Sequence, residues 1–362
     1  MKIAMIGHKR IPGREGGVEV VVEELSCGLV KRGHDVTAYN RKKKASPSSD
    51  TYKGVKLVDV FTIEKKSLDA VVYSFIASLK VLTKKYDVVH YHAIGPAFFL
   101  WIPHMFGIPT VVTVHGLNYK TPKWAGFGAW FIKQGEKVVA KYADRIIVLS
   151  NDQREYFLTE YGRDTVYIPN GTEVKDIIDS EEINRFGLKK DGYILFLSRV
   201  VPGKGLEYLL DAYKDVESDL NLVIAGDSPF MEDYRSSIVA RAATDSRVIF
   251  TGFVEGRLLQ ELYSNARLFV FPSEAEGMPI CLLEALSYDC PCLVSDINEN
   301  LEVGGDYVDS FVSCDTDDLR KKLTEILGKE KVDTGSRQYI LDNYSWDDNV
   351  EKTIELYGSI IK

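Results

Sequence analysis

Short apolar runs and amphipathic stretches alternate along this chain, and the alternation occurs twice. In the first half Lys2–Ile6, Val36–Tyr39, Val88–Tyr91, Thr110–Val114 and Arg145–Leu149 have the length and apolar density of buried strands. Val18–Arg32, Leu68–Lys84 and Gly128–Tyr142 carry a helical period between them. In the second half Tyr193–Leu197, Leu222–Ala225, Val248–Thr251, Leu268–Phe271 and Cys292–Val294 read as strands, and Gly205–Tyr213, Arg257–Ser264, Pro279–Leu286 and Asp318–Leu327 as helices. Strand and helix in strict succession build βαβ units, so the pattern predicts an α/β protein with two doubly wound parallel sheets. Such sheets bind ligands at the carboxyl ends of their strands.

The chain has 362 residues, enough for two domains each with its own core. Its formal charge of −8 hides an asymmetry. Residues 1–168 hold 25 Lys and Arg against 16 Asp and Glu, whereas the remainder holds 20 against 37. All six histidines lie in the basic half. Pro169-Asn170-Gly171 supplies turn chemistry where the balance changes, which sets the expected division at residues 168/169. This composition excludes a disulfide scaffold, a disordered chain and a collagen-like one, and its acidic total disfavours a nucleic-acid partner. Cys27, Cys281, Cys290, Cys292 and Cys314 show no paired metal spacing, so buried thiols in a reducing, cytoplasmic setting are expected. The N-terminus lacks the pattern of a signal peptide, and no apolar stretch reaches the ~18–20 residues that span a bilayer. Peripheral contact with the inner face of a membrane stays open.

Chemistry concentrates in four places. Gly7 to Gly17 is a long first βα turn ending in Gly16-Gly17 at a helix start, where free amides favour a phosphate or sugar oxygen. It is not a dinucleotide fingerprint. Arg199 and Lys204, five positions apart with Gly203 and Gly205 around the lysine, are cations able to grip a diphosphate. Glu276 and Glu284 are eight apart, the first in a loop and the second on the following helix, placed for two parts of one ligand. His90 and His92 alternate on one strand and share a face, compatible with a metal but without a third ligand.

Two further segments have ordinary readings. Asp315-Thr316-Asp317 looks like an acidic metal motif, yet it precedes a helix and reads as its cap. Residues 119–141 mix Trp124, Phe127, Trp130 and Phe131 with five lysines, and either pack into the core or rest on a lipid surface. The basic run Arg41-Lys42-Lys43-Lys44 with its Ser-rich continuation reads as a solvated loop.

Taken together, Glu276-Gly277-Met278-Pro279 with Glu284, the Arg199/Lys204 pair, Gly16-Gly17 and Val114-His115-Gly116 resemble the family 4 glycosyltransferases of the GT-B fold. The likeness extends over nearly the whole chain, and the opening turn further resembles bacterial capsule and polysaccharide rhamnosyltransferase-type enzymes. It implies two Rossmann-like domains with an interdomain cleft and a C-terminal crossover helix, residues 345–362, returning to the first domain. Residues 1–168 would bind a saccharide acceptor, lipid-pyrophosphate-linked in the favoured case, and residues 169–344 a nucleotide-diphosphate sugar.

By the same resemblance Arg199 and Lys204 hold the diphosphate, Glu284 the ribose and Glu276 the sugar hydroxyls. Phe253 and Val254 border the base, Gly277, Met278 and Pro279 line the donor, Gly16 and Gly17 lie beside the phosphates, and His115 approaches the sugar. The implied activity is a retaining, metal-independent hexosyltransferase without a cofactor, acting in surface polysaccharide synthesis. A nucleotide-sugar epimerase of the same architecture and a non-catalytic sugar-nucleotide subunit are the competing readings.

Overall fold

The computed structural model describes residues 1–13, 16–42, 49–63, 68–117, 127–227 and 231–361, with Phe127 described by its backbone alone. The basic run at Lys43–Lys44 and the first part of the 119–141 segment, including Lys120, Lys123 and Trp124, lie outside the described residues. Two compact units form, one from Met1–Gly171 with Trp346–Lys362 and the other from Thr172–Ser345.

In the first unit the strands are β1 (Lys2–Ile6), β2 (Asp35–Arg41), β3 (Thr51–Tyr52), β4 (Val55–Val60), β5 (Val88–His92), β6 (Thr110–Val114), β7 (Arg145–Val148) and β8 (Val166–Tyr167). They form one sheet in the order β3-β4-β2-β1-β5-β6-β7-β8, parallel except for β3 against β4. The helices are α1 (Gly17–Lys31), α2 (Asp69–Lys80), α3 (Trp101–Met105), α4 (Phe127–Tyr142) and α5 (Asn151–Tyr161). Strand residues alternate between two cores, as the two-residue period of a strand demands. Ala4 and Ile6 of β1 join Tyr73 and Ala77 of α2 and Ile132 and Val139 of α4 on one face. Ile3 and Met5 join Val22, Leu25 and Leu29 of α1 on the other.

The second unit has β9 (Tyr193–Leu197), β10 (Asn221–Ala225), β11 (Val248–Gly252), β12 (Leu268–Phe271), β13 (Cys292–Ser295) and β14 (Asp309–Phe311). Their order is β11-β10-β9-β12-β13-β14, all parallel. Between and after them run α6 (Leu206–Tyr213), α7 (Glu232–Ala242), α8 (Gly256–Ser264), α9 (Ile280–Ser287), α10 (Asn298–Gly304), α11 (Thr316–Leu327) and α12 (Ser336–Asn343). Asp315 caps α11, its carboxylate accepting from the amides of Asp317 and Asp318 at 3.0 Å, so the acidic triplet is a cap. The terminal helix α13 (Trp346–Gly358) returns Val350, Leu356 and Tyr357 to the core beside α1.

The helix expected over Leu68–Lys84 stops being α-helical at Lys80 and tightens into a 3-10 turn at Val81–Thr83. Two β-branched residues in that last turn favour the change. Of the cysteines, Cys27, Cys290 and Cys292 are buried, but Cys314 is exposed just ahead of α11, contrary to the expectation of buried thiols.

Candidate functional site

Strand order reverses direction between β9 and β12 in the second sheet. Loops leaving two such strands diverge and open a crevice at their carboxyl ends. The loop after β9 carries Arg199 and Lys204, and the loop after β12 carries Ser273 and Glu276. Gly205 joins them. It lies at φ +70°, and a Cβ there would come 2.0 Å from the Pro272 carbonyl oxygen, so only glycine allows the two backbones to touch. The Glu274 amide donates to the Gly203 carbonyl at 3.0 Å, fastening one loop to the other.

This contact seats Lys204 against Glu276 in an ion pair, and the Ser273 hydroxyl donates to the same carboxylate oxygen at 2.5 Å. Both partners are mostly buried, so the charges are partly desolvated and each depends on the other. Arg199, on the same loop, is exposed. Pro279 is the N-cap residue of α9, which follows buried Gly277 and Met278 and carries Glu284 on its second turn. The Tyr263 hydroxyl donates to Glu284 at 3.0 Å, and burial, reinforced by that carboxylate, raises the phenol well above its ordinary pKa. Phe253 is exposed and Val254 buried after β11, at the same carboxyl edge two strands from the reversal. Lys204 and Glu276 are thus in direct contact, while the other donor-side residues share the sheet edge with them.

In the first sheet the reversal falls between β1 and β5. Gly7, following β1, has φ +120°, and a Cβ would meet the His92 carbonyl oxygen at 2.1 Å. Its amide donates to the Tyr73 hydroxyl at 3.1 Å, which donates to the Tyr39 carbonyl at 2.5 Å. Carboxylates of α1 gather the turn: Glu19 accepts from the Lys9 amide at 2.9 Å and Glu23 from the Gly13 amide at 3.2 Å. Asn40 bonds both the Ile11 backbone and His8, whose Nε2 lies 2.9 Å from Asn40 Oδ1. At Gly16 the backbone is extended, so no special φ requires glycine there, and the atom nearest a Cβ would be the movable end of the Glu19 side chain, at 2.9 Å.

Histidines line the ends of β5 and β6. His115 Nε2 lies 3.1 Å from His92 Nδ1, and the His92 ring lies on His90 with centroids 4.2 Å apart. His90 Nδ1 is 2.6 Å from the Tyr357 hydroxyl of α13, and its Nε2 is 2.8 Å from Thr113 Oγ1. Burial lowers the pKa of His90 to about 3 and of His115 to about 4, and takes His92 well below its usual value. All three are neutral at pH 7, so His115 offers a hydrogen bond and no charge. Among the described residues no group of three His, Cys, Asp or Glu side chains is arranged to hold a metal ion.

Residues 179–355 match the family described as glycosyl transferases group 1, and residues 15–176 match glycosyltransferase family 4. The chain belongs to the family 4 glycosyltransferases. This glycosyltransferase is 28% identical, over 80% of its length and 79% of the relative's, to the UDP-Gal:alpha-D-GlcNAc-diphosphoundecaprenol alpha-1,3-galactosyltransferase of Escherichia coli. Over its whole length it is 26% identical to the O-antigen chain mannosyltransferase C of Escherichia coli, covering 99% of that protein. Sucrose-phosphate synthase from Thermosynechococcus elongatus has the same fold, with a TM-score of 0.87 at 20% identity over 99% of this chain and 98% of that one. The architecture is GT-B, two Rossmann-like α/β units.

The candidate site includes residues that the motifs did not single out. Ser273 and Tyr263 hold the two glutamates, and Glu19, Glu23 and Asn40 shape the first turn. Ser273 had a readable signal, a polar residue two positions after a strand at the sheet's carboxyl edge. In α13, Trp346, Val350, Ile354 and Tyr357 recur at helical spacing as one apolar stripe, yet the Tyr357 hydroxyl is spent on His90.

Proposed function

We propose that this glycosyltransferase moves a hexose, with retention of anomeric configuration and without a metal ion, from a nucleotide-diphosphate sugar to a saccharide acceptor carried on a lipid pyrophosphate, in surface polysaccharide synthesis. The observation that carries the reading is Lys204, a cation fixed by Gly205 at the strand reversal of the second sheet and balanced by Glu276. In this reading Lys204 and Arg199 bind the diphosphate and stabilise charge on it as its bond to the anomeric carbon breaks. The acceptor hydroxyl attacks from the face the phosphate leaves, and its proton passes to the departing phosphate oxygen. These two cations supply the charge for which other enzymes use a divalent ion. Glu276 and His115 bind sugar hydroxyls, Glu284 binds the ribose, and Phe253 and Val254 border the base. Gly16 and Gly17 bring backbone close to the acceptor side, with Gly277, Met278 and Pro279 lining the donor.

The lipid-pyrophosphate acceptor is supported by the likeness to an enzyme named for a diphosphoundecaprenol substrate and by the basic balance of residues 1–168. A thermal-shift screen against nucleotide sugars tests the donor. One donor should raise the melting temperature above its nucleoside diphosphate alone. Glu284→Ala should weaken nucleoside diphosphate binding and leave inorganic pyrophosphate unaffected. No stabilisation by any nucleotide sugar, or release of an epimer from donor alone, overturns the proposal.

A further inference from the structure

The two helical layers of the first unit have opposite surfaces. On the layer containing α1 and α13, the exposed side chains of α13 are Asp347, Asp348, Glu351, Lys352 and Glu355, and among the described residues neither helix exposes a large apolar side chain. The layer built from α2, α3 and α4 exposes Phe75, Leu79, Trp101, Met105, Phe106 and Trp130, with Met105 at 71% and Phe106 at 69%. The helix α3 packs against both α2 and α4, and ring contacts join part of the set. Phe75 of α2 packs on Phe99, centroids 5.3 Å apart, and Phe99 lies 6.2 Å from Phe131, the neighbour of Trp130 on α4. Leu79 is one turn beyond Phe75, and Trp101 two residues beyond Phe99. Exposed apolar groups gathered on one helical layer mark an interaction surface.

Charge selects the occupant. Between Asp69 and Tyr142 the sequence holds eight lysines and three acids, Asp69, Asp87 and Glu136. All three are engaged, since Asp69 pairs with Arg41 at 2.7 Å, Glu136 is fully buried against Lys133, Tyr156 and Tyr161, and Asp87 accepts from the Lys2 amide at 2.7 Å. Lys84, Lys85, Lys137 and Lys141 are exposed. Aromatic and aliphatic side chains among lysines, with no free carboxylate, fit the headgroup layer of an anionic bilayer. Among the described residues no helix is long and apolar enough to cross a membrane, so attachment would be peripheral. We propose that the outer face of α2, α3 and α4 docks on an anionic lipid surface. Its purpose rests on the lipid-linked acceptor proposed above, but its occurrence does not.

Sedimentation with vesicles of phosphatidylglycerol and phosphatidylethanolamine, against vesicles of phosphatidylcholine, tests the surface. The protein should bind the anionic vesicles at least tenfold more tightly and lose most of that binding at high salt. Met105→Ser with Phe106→Ser should lower it at least tenfold, and Lys84→Gln with Lys85→Gln severalfold, while Lys352→Gln on the opposite layer changes nothing. All these side chains are at the surface, and unchanged circular dichroism and thermal melting verify that each variant is folded. Transfer to a water-soluble acceptor should be retained, which separates failure of docking from failure of the glycosyltransferase reading. Equal binding to both vesicle types overturns the proposal. So does a homodimer that the Met105/Phe106 variant converts to monomer, because a second copy would then be the occupant.

Discussion

Lys204 and Glu276 are ion-paired across two loops that leave neighbouring strands of the second sheet. Each is the other's main compensation in a partly desolvated place, so a ligand that recruits one releases the other. A diphosphate drawing Lys204 away leaves the Glu276 carboxylate free to accept hydrogen bonds from a sugar. Lys204→Ala should therefore weaken nucleoside diphosphate binding at least tenfold, about 1.4 kcal/mol. Glu276→Gln should keep that affinity within about threefold and lower kcat for the sugar donor. Calorimetric affinities unchanged in the lysine variant would remove Lys204 from the site.

Gly205 is the hinge of that arrangement in a literal sense, because its missing Cβ is where the Pro272 carbonyl sits. Gly205→Ala must push the β9 and β12 loops apart or flip the backbone out of its left-handed conformation. The expected result is destabilisation of roughly 1–3 kcal/mol together with weaker nucleotide binding. Gly203→Ala also strains a positive φ, +85°, but meets no atom within 4 Å, so it should cost less in both respects. Equal effects at the two positions in denaturation and binding would mean that contact with Pro272 does not organise the loops.

The buried histidines make stability depend on pH. Burial lowers His8 and His115 to about 4 and His90 to about 3, from an ordinary 6.5. The unfolded chain thus binds protons below pH 6.5 that the folded chain refuses, so stability is complete above that value and declines as pH falls towards 4. The slope is about 1.4 kcal/mol per pH unit for each histidine. Urea denaturation between pH 7.5 and 5 should show this decline, and His8→Asn should make it shallower whatever its effect on absolute stability. A wild-type stability flat across that interval contradicts the buried neutral state.

Much of this was legible beforehand because the strands and helices that carry the sheets are apolar at a clear period. Val88–Tyr91 and Leu268–Phe271 are examples, extended by at most a residue or two in the structure. Illegible elements were those held by context. The helix α5, NDQREYFLTEY, is polar almost all round and rests on Phe157 and a Ser150 cap, while β3 and β8 are two-residue edge strands. At the site the charged and glycine residues announced themselves by type and spacing. Their partners did not, since Asn40, Tyr263 and Tyr357 act through contacts 32, 21 and 267 residues away in sequence, which no local pattern contains.

The same long-range contacts decide how His115 can act. Its Nε2 faces His92 Nδ1, and His92 Nε2 is buried without a hydrogen-bond partner among the described residues. A buried N–H without an acceptor costs more than a buried lone pair without a donor, so the proton of His92 belongs on Nδ1. It then donates to His115 Nε2, and His115 carries its own proton on Nδ1 as a neutral donor. Nitrogen NMR of the labelled protein should show the Nδ1–H tautomer for His115 at pH 7, with no protonation down to pH 5. His115→Ala should lower transfer by at least tenfold while nucleoside diphosphate affinity changes by less than about threefold. If transfer and affinity fell together, or the spectrum showed the opposite tautomer, His115 would be a packing residue of the β5–β6 edge and not a donor to the sugar.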